Sequence, residues 1–362
     1  MTPITENTLP DSYTPFSFSP RMKQPKYLFN PGRMSRQDNT LKYTPVDEDG
    51  KEGQPRFLPV EQLGDLYIFG SLDTNSAVYN FLGQQSIAVH FFDYYENYTG
   101  SFMPRDYLLA GKMQVEQTKH YIAPKKRIEI ARCFVQGAAD NIFRVLKYYQ
   151  NRGKDVADAL ARVEMLMAGI PMAVDVPMLM GTEGNIRQTY YASFDTLVGD
   201  VFAMDGRTKR PPQNELNALI SFGNMMCYTA CLSTIYHTQL NPTISFLHEP
   251  GARRYSLALD LAEVFKPILV DRLIFKMINK RQLQPSDFRM SAADGDPVNS
   301  CVLKEAARKR FVQGFDEQLK ETIKHRVLGR SVSYRHLIKL ECYKLQKHLL
   351  GMETYRPFKA WW

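Results

Sequence analysis

The sequence lacks the features of membrane and secreted proteins. No apolar run reaches the roughly 18 residues that a membrane-spanning helix needs. The first residues, MTPITENTLPDSYTPF, carry prolines and acids where a signal peptide would have a basic start and an apolar run. The sequence therefore predicts a cytoplasmic protein without membrane segments.

Cysteine is scarce and scattered. The chain has five cysteines, an odd number: Cys133, Cys227, Cys231, Cys301 and Cys342. Cys227 and Cys231 are one helical turn apart, but no CxxC pair supplies the further ligands that a zinc site needs. We therefore predict no zinc site and expect both residues to lie in the core as small apolar side chains.

The composition is that of a globular protein with excess positive charge. Hydrophobic residues make up 44% and charged residues 23%, which argues against a disordered chain. Lys and Arg exceed Asp and Glu by 46 − 38 = 8. From Cys301 onward there are 14 basic and 6 acidic residues, so this last sixth carries an excess of 14 − 6 = 8. Such a concentration suits a polyanion such as DNA or RNA, although a solvated helix face explains the charge equally well.

The first part of the chain has the pattern of β-strands. Short segments rich in aromatic and β-branched residues are bounded by Gly, Pro, Asn and Asp. These segments are KYLFNP, TLKYTP, LYIFGS, SIAVHFF and YTGSFMP. Residues 1–24 form a lead rich in Pro, Ser and Thr without a clear period. A small β domain is therefore expected after this lead.

From about Ala123 the apolar residues recur at threes and fours, which predicts helices. One helix is expected after Asp175, a suitable cap, with Pro177 in its first turn. Another, SLALDLAEVFKPILVDRLIFKMI, is expected to be kinked at Pro267. Further helices are predicted over 123–153, 154–168, the apolar segment after KRPP, 302–328 and 333–350. The fold class is therefore α+β, with domains predicted over 25–118 (β) and 119–362 (all-helical).

The stretch FLHEPGARRYSLALDLAE, residues 246–263, combines a histidine, two arginines and two acids. Its HE pair suggests the HExxH zinc-protease motif, but the fifth position is Ala252 and Pro250 would break the required helix. His248 is therefore expected on a turn before the helix. Asp260 and Glu263 are three residues apart and share one face of that helix among apolar neighbours.

Two acids on such a face need compensating positive charge. Spacing leaves two interpretations open. The acids could pair with a nearby arginine, for which Arg253, Arg254 and Arg272 are candidates. Alternatively, they could bind a divalent metal together with the His248 nitrogen.

A third carboxylate, Glu183, lies in MLMGTEGNIRQ between Gly181 and Gly184. Glycine inside a helix costs about 1 kcal/mol relative to alanine, so we expect something to approach this backbone closely. The alternative is an i,i+4 ion pair of Glu183 with Arg187, which is worth a few tenths of a kcal/mol. Both interpretations stay open.

Several motifs, in order along the chain, resemble those of the CRISPR-associated spacer integrases, the catalytic proteins of the CRISPR adaptation complex. The motifs are YLFNPGRMSRQDNTLKY, GTEGNIRQTYYASF, RTKRPPQNELNALISFGNMMCY, LNPTISFLHEPGARRYSLALDLAEVFKPILVDR and YRPFKAWW. The resemblance covers nearly the whole chain after the lead. It implies an N-terminal β-sandwich that forms a homodimer and a helical catalytic domain.

The resemblance also implies roles for individual residues. Glu183, His248 and Glu263 match the family's ligands for Mg²⁺ or Mn²⁺, and Asp260 matches an acid that supports the site. Asn217 matches a position near the site, with a core or capping hydrogen bond as the alternative. Surface salt bridges are as good an explanation as DNA contact for each candidate DNA-binding residue: Arg187, Arg207, Lys209, Arg210, Arg253 and Arg254.

The implied reaction is insertion of new spacers into a CRISPR array. The 3′-hydroxyl of a DNA fragment attacks a repeat phosphodiester with the help of the metal, and water in its place would give nuclease activity. The implied partners are protospacer DNA, the CRISPR repeat, a second copy of the chain and the second adaptation protein, Cas-two. The alternatives are a non-catalytic nucleic-acid-binding scaffold and a general metal-dependent nuclease acting on DNA or RNA.

Overall fold

The computed structural model describes residues 23–47, 49–93, 97–104, 110–199, 202–208, 211–251, 255–291, 300–325 and 328–361. Within them, a strand-rich N-terminal region is followed by a larger helical region. The α+β prediction is confirmed. The helical region also contains two short strand pairs, which the sequence pattern did not indicate.

The N-terminal region contains two four-stranded sheets. Its strands are β1 (Gln24–Leu28), β2 (Gly32–Gln37), β3 (Thr40–Pro45), β4 (Arg56–Pro59), β5 (Leu63–Ile68), β6 (Leu72–Asp73), β7 (Val89–Phe92) and β8 (Tyr98–Phe102). One sheet has the order β1-β5-β7-β8, and the other has the order β4-β3-β2-β6. Strands β1, β5 and β7 are parallel, whereas β8 pairs with β7 in the antiparallel sense.

The two sheets bury their apolar faces in one common cluster. Met34 and Leu41 come from one sheet, and Leu66 and Val89 come from the other. Helix α1 (Ser76–Gln84) adds Phe81 to this cluster and supplies part of the crossover that parallel strands require. The first four residues of β2 alternate between buried and exposed, as a sheet with one solvated face demands.

Ten more helices are described after the sheets. They are α2 (Gly111–Ile122), α3 (Pro124–Gln150), α4 (Ala157–Met167), α5 (Val176–Ala192), α6 (Phe194–Val198), α7 (Glu215–Tyr236), α8 (Ser256–Lys266), α9 (Arg272–Asn279), α10 (Glu305–Lys320) and α11 (Tyr334–Leu349). As predicted, Asp175 caps α5, because its side chain accepts a bond from the Met178 amide. Residue 118, the predicted end of the β domain, lies inside α2.

The helix predicted over 302–328 is shorter at both ends. Strand β10 (Ser300–Leu303) precedes α10 and pairs with β9 (Phe288–Ser291). Strand β11 (Thr322–Lys324) follows α10 and pairs with β12 (Ser331–Ser333). Val302 and Ile323 are β-branched residues that favour a pleated, half-buried surface, and cross-strand pairing outweighs their weaker helix preference.

Helix α7 runs through the centre of the helical region. By length and composition alone it could span a membrane, but 72% of its most apolar 18-residue stretch is buried inside the protein. Cys227 and Cys231 are fully buried on it, as predicted. A Cβ atom at Gly223 would lie 2.4 Å from Val270 Cγ1, so glycine allows the close approach of the segment after α8.

That segment, Pro267–Asp271, is a π-helical turn between α8 and α9. Pro267 has no amide hydrogen to continue the α-helical ladder, so the backbone widens at this residue. The kink predicted at Pro267 therefore takes the form of a wider turn. All five of its residues are buried, and the last of them is an acid, Asp271.

The C-terminal tail, residues 352–361, returns to the helices that carry the site. Asn141 of α3 donates to the Val264 carbonyl of α8 (2.8 Å) and accepts from the Ala360 amide (2.8 Å). Phe358 stacks on Phe265 of α8 with ring centroids 5.5 Å apart, and Trp361 packs edge-on against Phe358. One buried amide therefore ties the tail to α8.

Candidate functional site

Asp260 is fully buried on α8 and accepts four hydrogen bonds. Its Oδ2 accepts from the amides of Phe246 (2.7 Å) and Leu247 (2.9 Å). Its Oδ1 accepts from the His248 amide (2.9 Å) and from the Nδ1 of the same residue (2.8 Å). These bonds satisfy the buried carboxylate without any arginine. Asp260 therefore fixes the turn that carries His248.

The Asp260 contact also sets the orientation of the His248 ring. Burial lowers the pKa of His248, but the hydrogen bond and the charge of Asp260 outweigh it, so the pKa is raised above its usual value. When the ring is neutral, the proton stays on Nδ1 beside Asp260 and Nε2 carries the free lone pair. This is the carboxylate–histidine pairing commonly seen behind a metal ligand.

Glu263 lies one turn further along α8 and is neutralised by two cations. Lys266 Nζ is 2.5 Å from Oε1, and Arg187 Nη2 donates to Oε2. Burial raises the pKa of Glu263, but Lys266, Arg187 and His248 together outweigh it and hold the pKa well below its usual range. Only 7% of the residue is exposed, so its charge depends on these partners.

Arg187 connects Glu263 to the third acid. Its Nε donates to Glu183 Oε1 at 2.9 Å on the same helix, α5. The i,i+4 pair considered from the sequence is therefore present, and the same guanidinium extends it to Glu263, 76 residues away. The arginine that compensates an acid of α8 is thus Arg187. Arg272, the other described candidate, packs over the ring of Tyr148.

These side chains line one open cavity of about 790 Å³. Glu183 and Arg187 line it from α5, Glu263 lines it from α8, and His248 lines it from the turn before α8. Gly184 also lines it, and a Cβ atom at Gly181 or Gly184 would meet nothing within 4 Å. The close approach of protein to these glycines, expected from the sequence, is therefore not seen among the described residues. The space beside Gly184 belongs to the cavity.

The donor types around the cavity suit Mg²⁺ or Mn²⁺, because two carboxylates and one imidazole can supply oxygen and nitrogen ligands. In the described part of the chain, however, no three His, Cys, Asp or Glu side chains are grouped as a preformed ligand set. The Arg187 guanidinium lies between Glu183 and Glu263 and holds one oxygen of each. The residues fit the metal in kind, and binding requires them to exchange partners.

Asn217 holds Arg207, which lines the same cavity. Asn217 is fully buried, and its Oδ1 accepts from Arg207 Nη1 (2.9 Å) and from the Thr208 amide (3.0 Å). Its Nδ2 donates to the Gly206 carbonyl at 2.8 Å. The core hydrogen bond considered from the sequence is therefore present. Arg207 lines the cavity, and its Nη2 donates to Ser221 Oγ at 3.1 Å.

The other candidate DNA contacts divide into two groups. Lys209, Arg210, Arg253 and Arg254 lie outside the described residues. Arg187 is only 9% exposed and is held by two carboxylates. Its geometry is that of a counter-ion inside the site, and DNA contact by any of the six residues stays a prediction.

Two charged residues near the site were missed from the sequence. Lys266 lies three residues after Glu263, and i,i+3 pairing on a helix could have indicated it. Asp271 closes the π-helical turn and is 1% exposed. Burial raises its pKa to about 7, against the opposing effect of Arg187. No spacing rule could have found Asp271, because its position depends on the widened turn.

Comparisons with known proteins identify the family. The family model described as CRISPR associated protein Cas1 matches residues 26–317, which is most of the chain. The chain belongs to the Cas1 family. A Cas1 relative from Thermodesulfovibrio yellowstonii, named a CRISPR-associated endonuclease, is 44% identical over 336 residues, covering 93% of this chain and 99% of the relative.

Solved Cas1 structures share the fold. A Cas1 protein from Thermotoga maritima superimposes with a TM-score of 0.80 at 39% identity, over 92% of this chain and 99% of that one. A casposase bound to an integration product has a TM-score of 0.79 at 18% identity, over 93% of each chain. The family resemblance found in the sequence is therefore confirmed. The second likeness, at such low identity, concerns the fold.

Proposed function

We propose that this Cas1-family chain is a metal-dependent DNA endonuclease and integrase that inserts new spacers into a CRISPR array. Membership of a family whose relatives are named CRISPR-associated endonucleases supports the reaction class. The observation that carries the site is the convergence of Glu183, His248 and Glu263, from three separate segments, on one cavity. A 3′-hydroxyl end of DNA would attack a repeat phosphodiester there, and the oxygen of the broken bond would leave.

In this proposal Glu183, His248 and Glu263 hold a Mg²⁺ or Mn²⁺ ion. Such an ion, when bound, polarises the phosphate and lowers the pKa of the attacking hydroxyl. Asp260 keeps a proton on His248 Nδ1 and so directs Nε2 to the ligand role. The nitrogen ligand favours Mn²⁺ somewhat over Mg²⁺.

The rim of the cavity offers hydrogen-bonding groups to a substrate. Arg207 Nε and Asn224 Oδ1 are buried and have no hydrogen-bond partner among the described residues. Both residues line the same cavity as the acids. Arg207 would contact a phosphate of the DNA, and its binding energy would fall with rising salt.

The proposed partners follow from the family. DNA supplies both substrates, as protospacer fragments and as the CRISPR repeat. The β domain over 25–118 would form the homodimer, and Cas2, the second adaptation protein, would complete the complex. Cas1 chains occur with Cas2 in a solved Cas6-RT-Cas1–Cas2 complex that shares this fold at 19% identity and a TM-score of 0.80.

One observation favours a second candidate, a non-catalytic DNA-binding scaffold. Arg187 and Lys266 already neutralise Glu263, so this buried acid has counter-charges without any metal. In a scaffold these ion pairs would be permanent, and the excess of 14 − 6 = 8 positive charges after Cys301 would hold the DNA. The two candidates differ in whether divalent metal produces strand transfer.

The deciding experiment measures half-site integration of a labelled DNA fragment into repeat-bearing DNA by the purified full chain, with and without Cas2. We expect products with Mn²⁺ or Mg²⁺, none with EDTA, and loss in Glu183→Ala and His248→Ala. Glu249→Ala is the matched control, because Glu249 pairs with Arg127 and its side chain is 69% exposed. That variant should retain activity.

The same assay separates the alternatives. Strand transfer that survives in both Glu183→Ala and His248→Ala would overturn the site assignment. Tight DNA binding without any metal-dependent product would support the scaffold. Equal cleavage of RNA or of unrelated duplexes without Cas2 would indicate a general nuclease.

A further inference from the structure

Arg187 lies where a cation bridging two acids would lie. Its Nε is 2.9 Å from Glu183 Oε1, and its Nη2 donates to Glu263 Oε2. The same Nη2 is 3.4 Å from the Glu263 backbone oxygen. A planar guanidinium with these contacts links the two carboxylates through fixed geometry.

A divalent ion on the same carboxylates would compete with this arginine. Both positive groups would contact Glu183 Oε1 and Glu263 Oε2. Two like charges on the same carboxylates repel each other strongly in a buried site. Glu263 Oε1 is already held by Lys266 at 2.5 Å. Arg187 therefore has to leave at least one of its acceptors before these carboxylates can ligate a metal.

The structure contains a second acceptor for the displaced guanidinium. Asp271 is buried, and its Oδ2 has no hydrogen-bond partner among the described residues. Arg187 Nη1 is also buried and has no such partner. The two groups interact electrostatically, because the charge of Arg187 opposes the burial effect that raises the pKa of Asp271. Each of the two interacting residues therefore has a buried polar atom without a hydrogen-bond partner among the described residues.

The backbone around Asp271 suits this role. Asp271 is the last residue of the π-helical turn Pro267–Asp271, and such turns are frequent at functional sites. The close contact of Val270 with Gly223 holds the turn against α7. Asp271 is therefore a fixed acceptor, whereas the Arg187 side chain has several rotatable bonds and can move between its partners.

We propose that Arg187 is an exchangeable counter-ion, which neutralises Glu183 and Glu263 before metal binding and transfers to Asp271 when a divalent cation takes its place. This inference rests on the proposed metal-dependent function. It makes Arg187 and Asp271 positioning residues of the metal site, in addition to the three proposed ligands. It also explains why the metal-free acids are stable in a buried setting.

The test measures Mn²⁺ binding to the full chain by electron paramagnetic resonance of free Mn²⁺, together with thermal unfolding in EDTA. Arg187→Gln removes the competitor, so we expect binding that is tighter by roughly tenfold and a lower Tm in EDTA. Asp271→Asn removes the negative charge of the second acceptor, so we expect binding that is weaker by roughly tenfold. Arg335→Gln is the control, because Arg335 pairs with Asp316 away from the cavity.

The outcomes separate this inference from the proposed function. Wild-type protein that binds no Mn²⁺, or binds it equally well in Glu183→Ala and His248→Ala, would overturn the metal site itself. A site that depends on those residues but binds unchanged in Arg187→Gln and Asp271→Asn would overturn only the exchange. If Arg187→Gln does not fold, Asp271→Asn and crystals grown with and without Mn²⁺ still decide. In the Mn²⁺ crystals, Arg187 should contact Asp271.

Discussion

The two acids of α8 lie one turn apart, yet the protein neutralises them in different ways. Asp260 is held by three backbone amides and an imidazole, which are fixed by the chain itself. Glu263 is held by Arg187 and Lys266, which are side chains that can rotate away. A carboxylate bound to fixed amides supports structure, whereas one bound to mobile cations stays available for chemistry. The difference distinguishes the two acids on physical grounds.

Among the substitutions that test this difference, Asp260→Ala should have the largest effect. The substitution leaves three buried amides and the His248 ring without their acceptor, so we expect a loss of about 3–5 kcal/mol in the free energy of unfolding. Urea denaturation followed by far-UV circular dichroism measures the loss. A loss no larger than that of Glu263→Gln would show that Asp260 is not the more structural acid.

Glu263→Gln should have the next largest effect. The amide keeps the shape but cannot neutralise Arg187 and Lys266, so we expect a loss of about 1.5–3 kcal/mol in EDTA, on the scale of hydrogen bonds to charged groups. Unlike Asp260→Ala, the variant should keep the turn at His248 intact. Backbone hydrogen exchange at residues 246–248 checks this, since protection there should match the wild type.

Asp271→Asn tests a third buried acid near the site through the pH dependence of protein stability. Folding raises the pKa of Asp271 from 3.8 to about 7. The free energy of unfolding of the wild type therefore falls as the pH rises through this range, and this carboxyl causes no further loss at higher pH. In EDTA, Asp271→Asn should therefore gain stability relative to wild type between pH 4 and pH 7, with a constant difference at higher pH. A difference that does not change with pH would contradict the raised pKa of the buried Asp271 carboxyl.

The smallest effect is expected at Glu249, which stands next to His248 but outside the cavity. Its contact with Arg127 is an exposed ion pair, and such pairs contribute little. Glu249→Ala should change the free energy of unfolding by at most about 0.5 kcal/mol. A larger loss would mean that the turn at His248 depends on more than Asp260.

Part of this site could be predicted from the sequence, because the rules that relate sequence to local structure are reliable. The shared face of Asp260 and Glu263 follows from helical spacing, the cap at Asp175 follows from side-chain chemistry, and the break at Pro267 follows from a missing amide. The pair of Glu183 with Arg187 was one of the two interpretations that the sequence left open, and helical spacing alone suggested it.

What escaped prediction depends on contacts between distant segments. The bridge from Arg187 to Glu263 spans 76 residues, and no spacing rule reaches that far. The parallel pairing of β1, β5 and β7 likewise depends on crossovers that single strands do not reveal. The family resemblance predicts that Asp260 supports a metal site, but its three amide contacts depend on the turn that folds over α8.

The tail that Asn141 fastens to α8 gives the protein an optical reporter. The chain has two tryptophans, Trp361 and Trp362, and both are at its C-terminal end. Trp361 packs on Phe358, which stacks on Phe265 within the helix that carries both acids. Emission from Trp361 therefore reports on the neighbourhood of α8. A change in its wavelength on adding ligand would follow the docking of the tail rather than the unfolding of the whole chain.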